Sequence, residues 1–371
     1  MENTVNISVI GIGKLGLCFA LTLESSGFNV VGCDINPQYV QKINSKTLRS
    51  DEQGVEEKLK ESNNFIATTD FEKTVQHSDM LFVVVATPSL ESGRYDHSQV
   101  DSVVNKCISM GKQKQTKHLV VCCTTMPGYC DTVSDRLEKY NYTVSYNPEF
   151  IAQGTIIRDQ SHPDMVLIGQ ANERVGDSLE NIYKAHTHSN PRICRMSRTE
   201  AEICKISLNC FLTTKIAFAN MVGDIARFSN CNPDVILKAI GSDTRVGNKY
   251  LGYGFGYGGP CFPRDNRALA IHADDVGVDA MISKASDRSN NRHLKYQLEL
   301  FKKENSKDTK IVFDFVTYKK ESTMIIESQQ LEFAKLLAEE GYQVVLDERQ
   351  SVYDQLDESF LEKVTCLRRN K

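Results

Sequence analysis

The sequence predicts an α/β protein: a parallel sheet in the N-terminal half, a long central helix, and a smaller α/β segment at the end. Three observations predict it. Near-continuous apolar segments alternate with helical ones over the first half, the pattern of strands buried on both faces. A glycine-rich turn joins the first strand to the first helix. The periodicity then becomes helical at Arg198 and returns to strand, helix, strand near Lys310.

The first strand covers Asn6 to Ile10 and leads straight into Gly11, Gly13 and Gly16, with Lys14 and Leu15 between them. An apolar helix follows at 17–26, then a strand over Asn29 to Cys33 that ends in Asp34. A GxGxxG pattern between strand and helix, with an acid about 20 residues on, is the dinucleotide-binding context. Its glycines let a pyrophosphate reach the helix N-terminus, where free N–H groups favour anions. Asp34 accepts hydrogen bonds from a ribose and repels a 2′-phosphate, so NAD is expected rather than NADP. This makes the first domain, residues 1–197, a Rossmann domain. Further strands are expected at 79–86, 118–123 and 142–146. They close in Thr87 and Pro88, in residues 124–127, and in Asn147, Pro148, Glu149 and Phe150. Residues at the carboxyl ends of parallel strands meet ligands, which places Thr87, Thr125 and Glu149 as candidates.

From Arg198 to about Phe228 the pattern is helical and apolar. Lys205 and Asn209 are four apart and share a helical face. A lysine among Ile, Leu and Phe is costly to bury unless paired or functional. Asn232 and Pro233 open another helix, and Asp243 and Arg245 lie in a loop. Residues 254–265 then place four glycines in six positions before Cys261 and Asp265. So few side chains let a ligand approach the backbone, beside a thiol and a carboxylate. The tail is expected to hold a strand at 311–316, a helix at 331–340, a strand at 343–346 and a final acidic segment.

The chain has 371 residues, enough for two or three domains at roughly 100–200 residues each. With 44 basic against 48 acidic residues and a net charge of −4, no basic surface for nucleic acid is expected. The N-terminus lacks the basic start and apolar core of a signal peptide, and no apolar run approaches the roughly 20 residues of a membrane span. Twelve cysteines are scattered without CxxC spacing, so reduced thiols, a cytoplasmic location and no metal centre are expected.

Taken together, these motifs resemble the nucleotide-sugar 6-dehydrogenases, the UDP-glucose/GDP-mannose dehydrogenase group, with the UDP-glucose branch nearest. The resemblance rests on the glycine fingerprint, on Asn147 to Phe150, and on Glu202, Lys205 and Asn209. It rests equally on Asp243, Arg245 and Gly247, and on Gly256 to Asp265. It covers the chain strongly to about residue 290. It implies a helical dimerisation domain at 198–295 and a shortened nucleotide-sugar-binding Rossmann-like domain at 296–371. It also implies a four-electron, NAD-dependent oxidation of a sugar C6 alcohol through a thiohemiacetal and a thioester on Cys261. Lys205 and Asn209 would stabilise the oxyanion, and Asp265 and Glu149 would move protons with Thr125 assisting. Arg264 joins the cofactor contacts. Phe150, Ile151, Tyr250, Phe255, Gly256, Tyr257, Gly258 and Lys319 would meet the sugar nucleotide, and Arg245 would reach it across a homodimer. Gln153 stands where many members carry glutamate, and Arg264 replaces the usual lysine. UDP-glucose is the expected substrate; GDP-mannose, a UDP-N-acetylhexosamine and a non-catalytic binding protein are the alternatives.

Overall fold

The structure, a computed structural model, describes residues 5–151 and 154–368. The chain divides into two compact units, Met1–Lys205 and Ile206–Lys371.

In the first unit the strands are β1 (Asn6–Ile10), β2 (Asn29–Cys33), β3 (Phe65–Thr68), β4 (Met80–Val83), β5 (Lys117–Val121), β6 (Tyr142–Tyr146), β7 (Met165–Gly169) and β8 (Arg192–Met196). They form one sheet in the order β3-β2-β1-β4-β5-β6-β7-β8. Neighbours run parallel throughout, except that β6 meets β7 antiparallel through Tyr146 and Gly169. The helices are α1 (Lys14–Ser25), α2 (Pro37–Asn44), α3 (Val55–Glu61), α4 (Phe71–His77), α5 (Ser98–Ser109), α6 (Tyr129–Leu137), α7 (Ile156–Ser161) and α8 (Glu173–His186). Phe82, Val120 and Ile168 belong to one apolar core and Leu81, Leu119 and Leu167 to the other. Adjacent residues on a strand point to opposite faces, so the sheet is packed on both sides, as its unbroken apolar strands predict. The chain order reverses at β1, flanked by β2 and β4, and a sheet of this kind binds ligands at such a point.

A long helix, α9 (Arg198–Phe228), carries the chain from the first unit into the second. It opens with a capping box: the Ser197 N–H donates to Glu200 Oε2 at 2.8 Å, and the Glu200 N–H donates to Ser197 Oγ at 3.4 Å. The second unit continues with α10 (Pro233–Gly241), α11 (Phe262–Asp275) and α12 (Met281–Glu304). Next come β9 (Lys310–Phe313), α13 (Gln329–Glu339), β10 (Gln343–Glu348), the short helices α14 (Gln350–Tyr353) and α15 (Glu358–Leu361), and β11 (Thr365–Arg368). The three strands form a parallel sheet in the order β11-β10-β9. Its core gathers Phe313, Phe333, Leu337 and Leu346, with Phe255, Leu298 and Phe301 packed against it.

Several expected boundaries are corrected. The strand expected at 79–86 is β4 and stops at Val83, because its partner β1 ends at Ile10 where the glycine turn begins. The strand expected at 118–123 runs Lys117–Val121. The first helix starts at Lys14, inside the fingerprint, three residues before the expected 17. In the tail, the strand expected at 311–316 ends at Phe313, and the Val316 N–H turns instead to the buried Glu348 carboxylate at 3.0 Å. The final acidic segment contains α14, α15 and β11. Among the described residues, no helix is long and apolar enough to cross a membrane. Cys18, Cys33, Cys107, Cys122, Cys130, Cys194, Cys204, Cys210 and Cys231 are free thiols.

Candidate active site

In the first unit the fingerprint forms a cradle without side chains. A Cβ on Gly16 would meet the Gly11 carbonyl oxygen at 2.0 Å, and one on Gly11, whose φ is +90°, would meet the Val84 carbonyl oxygen at 2.5 Å. Neither position takes a larger residue. Gly13 caps α1 with no side-chain hydrogen bond, and the space where its Cβ would stand is open. The helix end therefore keeps backbone N–H groups for an anion. Leu15 is half-buried against the core, while Lys14 reaches Glu52 at 3.8 Å. Asp34 follows β2 with its Oδ1 accepting from the Asn36 N–H at 2.9 Å, which fixes the carboxylate at the sheet edge. Tight glycines, an open helix end and a fixed acid suit the pyrophosphate and ribose of NAD.

Thr87 and Thr125, at the ends of neighbouring strands, are both buried. Thr87 Oγ1 donates to the Thr124 carbonyl at 2.8 Å. Thr125 Oγ1 donates to Glu202 Oε1 at 2.8 Å. Glu202 also accepts from the N–H groups of Cys130 at 2.9 Å and Gly128 at 2.6 Å, so one buried carboxylate caps the start of α6. Burial raises its pKa above the usual carboxylate value, against the pull of these three donors.

Glu149 follows β6. Its backbone carbonyl accepts from Lys205 Nζ at 2.5 Å, and that ammonium lies 4.2 Å from the centre of the Phe150 ring. The lysine is buried at 7% exposure yet has both a carbonyl and an aromatic face, which answers the cost of its burial. Ile151 packs against the core. Tyr183 Oη donates to Asn147 Oδ1 at 2.6 Å and stands 3.4 Å from Glu149 Oε1. Burial pushes the Glu149 carboxyl up from 4.5 to about 7, while Lys205 and Tyr183 pull the other way. A group poised there can give or take a proton at neutral pH. Gln153 lies outside the described residues.

In the second unit Cys261 is exposed and forms the N-cap of α11. Four residues on, Asp265 is 1% exposed and accepts from Asn209 Nδ2 at 2.6 Å. Arg264 Nε lies 3.4 Å from Asp265 Oδ1. The glycine-rich loop turns two of its rings inward. Phe255 packs on Phe333 at 5.7 Å between ring centres, and Tyr257 is 4% exposed with its hydroxyl on Asp287. Gly256 faces Asn290, whose Oδ1 would touch an added Cβ at 2.2 Å, and Gly258 lies against the Glu327 carbonyl. What the loop leaves for a ligand at these positions is main chain. Tyr250, with φ +61°, is half-exposed. Arg245 points outward at 87% exposure and forms a two-pronged pair with Asp243 at 3.0 and 2.7 Å. Lys319 stands 3.7 Å from Glu321.

The structure thus joins Lys205 to Glu149 and Phe150 in one unit, and Asn209 to Asp265 in the other. Sequence reasoning missed Glu52, whose buried carboxylate accepts from the Gly154 and Ile156 N–H groups at 2.9 and 2.8 Å. It also missed Tyr183, and it quoted Glu202 without a role. The Glu52 contacts bridge about a hundred residues of sequence, and no local spacing reveals them.

Comparison with known proteins gives two family matches and several relatives. Residues 5–187 match the NAD binding domain of the UDP-glucose/GDP-mannose dehydrogenase family, and residues 199–292 match that family's central domain. The chain is 29% identical over 364 residues to a GDP-mannose 6-dehydrogenase of Pseudomonas aeruginosa, covering 94% of this chain and 82% of that protein. It is 31% identical over 291 residues to a UDP-glucose 6-dehydrogenase of Rickettsia felis, covering 77% of this chain and 64% of the other. Among solved structures, a UDP-glucose dehydrogenase from Pyrobaculum islandicum superposes with a TM-score of 0.86 at 28% identity, over 99% of this chain and 87% of that one.

Proposed function

The chain belongs to the UDP-glucose/GDP-mannose dehydrogenase family, and from that premise we propose that it oxidises UDP-glucose to UDP-glucuronate. The coarser activity, an NAD-dependent nucleotide-sugar dehydrogenase, comes with the family itself. The observation that carries the covalent route is Cys261 at the head of α11, with the Asp265–Asn209 pair one turn along.

The glycine cradle at Gly11, Gly13 and Gly16 and the Asp34 carboxylate would hold NAD, which would supply the hydride acceptor for each of the two oxidations. The Cys261 thiolate adds to the C6 aldehyde carbon, and the former carbonyl oxygen takes the negative charge. The Lys205 ammonium and the Asn209 amide donate to that oxygen. Losing such a donor costs about 2.7–4 kcal/mol of barrier. Asp265 fixes the Asn209 amide by accepting from its Nδ2. After the second oxidation, water cleaves the thioester, releases the carboxylate and restores the thiol. Glu149, poised near 7, takes the proton from that water. Thr125 acts with Glu202 to hold the strand end beside it.

Likeness to proteins named for UDP-glucose supports the substrate. GDP-mannose is the second reading, favoured by a relative of that name aligned over 94% of this chain. We place the enzyme in the cytoplasm as a homodimer, with Arg245 reaching the partner's substrate. The test is the yield of NADH per sugar with limiting UDP-glucose, GDP-mannose and UDP-N-acetylmannosamine in turn. Two equivalents from UDP-glucose are expected. Two from another sugar alone would move the substrate, and one from any of them would exclude the four-electron course.

A further inference from the structure

The glycine-rich loop is held from one helix face. Along α12, Asp287, Asn290, His293 and Gln297 fall within an arc of about 120° at 3.6 residues per turn, and each touches the loop. Asp287 accepts from the Tyr257 hydroxyl. Asn290 pairs with the Tyr257 backbone as a strand would: its Oδ1 accepts from the N–H at 2.8 Å and its Nδ2 donates to the carbonyl at 2.9 Å. His293 Nε2 lies 2.6 Å from the Gly254 carbonyl, and Gln297 Nε2 donates to the same oxygen at 3.0 Å. The other ring nitrogen of His293 faces the Asp224 carboxylate at 2.8 Å. From α9, Asn220 Oδ1 accepts from the Gly254 N–H at 3.1 Å. Asn290 and His293 are 5% and 2% exposed, so these groups reach no bulk water.

A loop this rich in glycine has many accessible conformations when free. Here its backbone polar groups at both 254 and 257 are fixed by side chains that have no part in the chemistry. Nothing in the strand or helix ladders of the fold requires that arrangement. We propose that this face of α12 is a template holding the loop's main chain in its substrate-receiving form, with Asn290 and His293 as positioning residues for the nucleotide sugar. The proposal rests on the reading that residues 254–258 receive that sugar. Its energetic logic is preorganisation: a loop already ordered loses less entropy on binding.

Asn290→Ala removes both ties to Tyr257, and Asn290→Asp keeps only the acceptor. The alanine variant is expected to raise KM for the nucleotide sugar roughly tenfold, with KM for NAD within about twofold of the parent. The aspartate variant, whose second oxygen is set against the Tyr257 carbonyl, is expected to raise the sugar KM at least as much. Hydrogen exchange at the Tyr257 amide is expected to accelerate while the strands of the first unit keep their protection. Gln297→Leu, which removes one outer tie, gives a folded comparison if the alanine variant is unstable, with a smaller shift in the same direction. The two KM values rising together, or unchanged exchange at Tyr257, would overturn the proposal. A parent that oxidises no nucleotide sugar would instead defeat the functional reading, and the exchange result would still decide whether α12 orders the loop.

Discussion

At the scale of single residues, Glu149 makes the sharpest statement about pH. Its carboxyl follows a strand end and is half-buried, with Tyr183 at 3.4 Å and its own carbonyl held by Lys205. Burial outweighs both neighbours and lifts the pKa from 4.5 to about 7. In the folded protein Glu149 therefore holds its proton between these values, where the unfolded chain has lost it. Folding is then favoured at the acid end of that window, and the advantage is lost as pH rises through 7. As a base, the same group gains activity over the same interval. Glu149→Gln is expected to flatten the rise of kcat/KM near pH 7 and lower its plateau at least tenfold. Its thermal midpoint, relative to the parent, is expected to climb as pH goes from about 4.5 to above 7. A parent profile with no limb near 7, or a midpoint difference independent of pH, would show that Glu149 titrates elsewhere.

At the scale of elements, Glu202 shows what joins a strand end to a helix. Its Oε1 accepts from Thr125 and Cys130 and its Oε2 from Gly128, so two N–H groups at the start of α6 are met by a side chain on α9. Glu202→Gln keeps an oxygen for the first two donors but turns an amide N–H₂ toward the Gly128 N–H. That leaves one buried donor unsatisfied and is expected to lower stability by about 1–3 kcal/mol in urea unfolding. An unchanged midpoint would mean that the α6 start is capped some other way. The strands and α9 were legible because burial writes a period into the sequence, and the fingerprint because glycines and an acid stand at fixed spacing. Strand ends were less legible. β4 stops where β1 does, and that depends on the register of a partner about seventy residues away. The α12 row was missed for another reason. Polar residues at helical spacing read as a solvated face, and only the loop laid against Asn290 and His293 shows it is buried. The tail was overlooked where acidic residues hide the apolar Phe360 and Val352 that pack α14 and α15 on their sheet.

At the scale of the whole molecule, the question is what covers α9. Phe211, Phe218, Met221, Ile225 and Phe228 lie within about 100° of arc on that helix, and all are exposed, Phe211 and Ile225 by 62% and 61%. A long apolar stripe facing water on a monomer marks an association surface. A second copy is the partner the family resemblance implies, and a two-fold axis would let the same stripe cover itself. Ile225→Asp is a surface change in the isolated chain, so the fold is expected to survive while light scattering reports half the parent mass. Arg245 carries the argument into the active site. If its exposed guanidinium completes the partner's site, Arg245→Ala abolishes turnover in every site of its own dimer, and so does Cys261→Ser. Mixing and reannealing the two inactive variants gives heterodimers in about half the cases, each with one site that has both Cys261 and Arg245. About one quarter of all sites then work, and that fraction of parent activity is the expected result. If Arg245 serves its own chain, no mixed dimer contains a complete site and the mixture stays inactive, which would return the active site to a single chain.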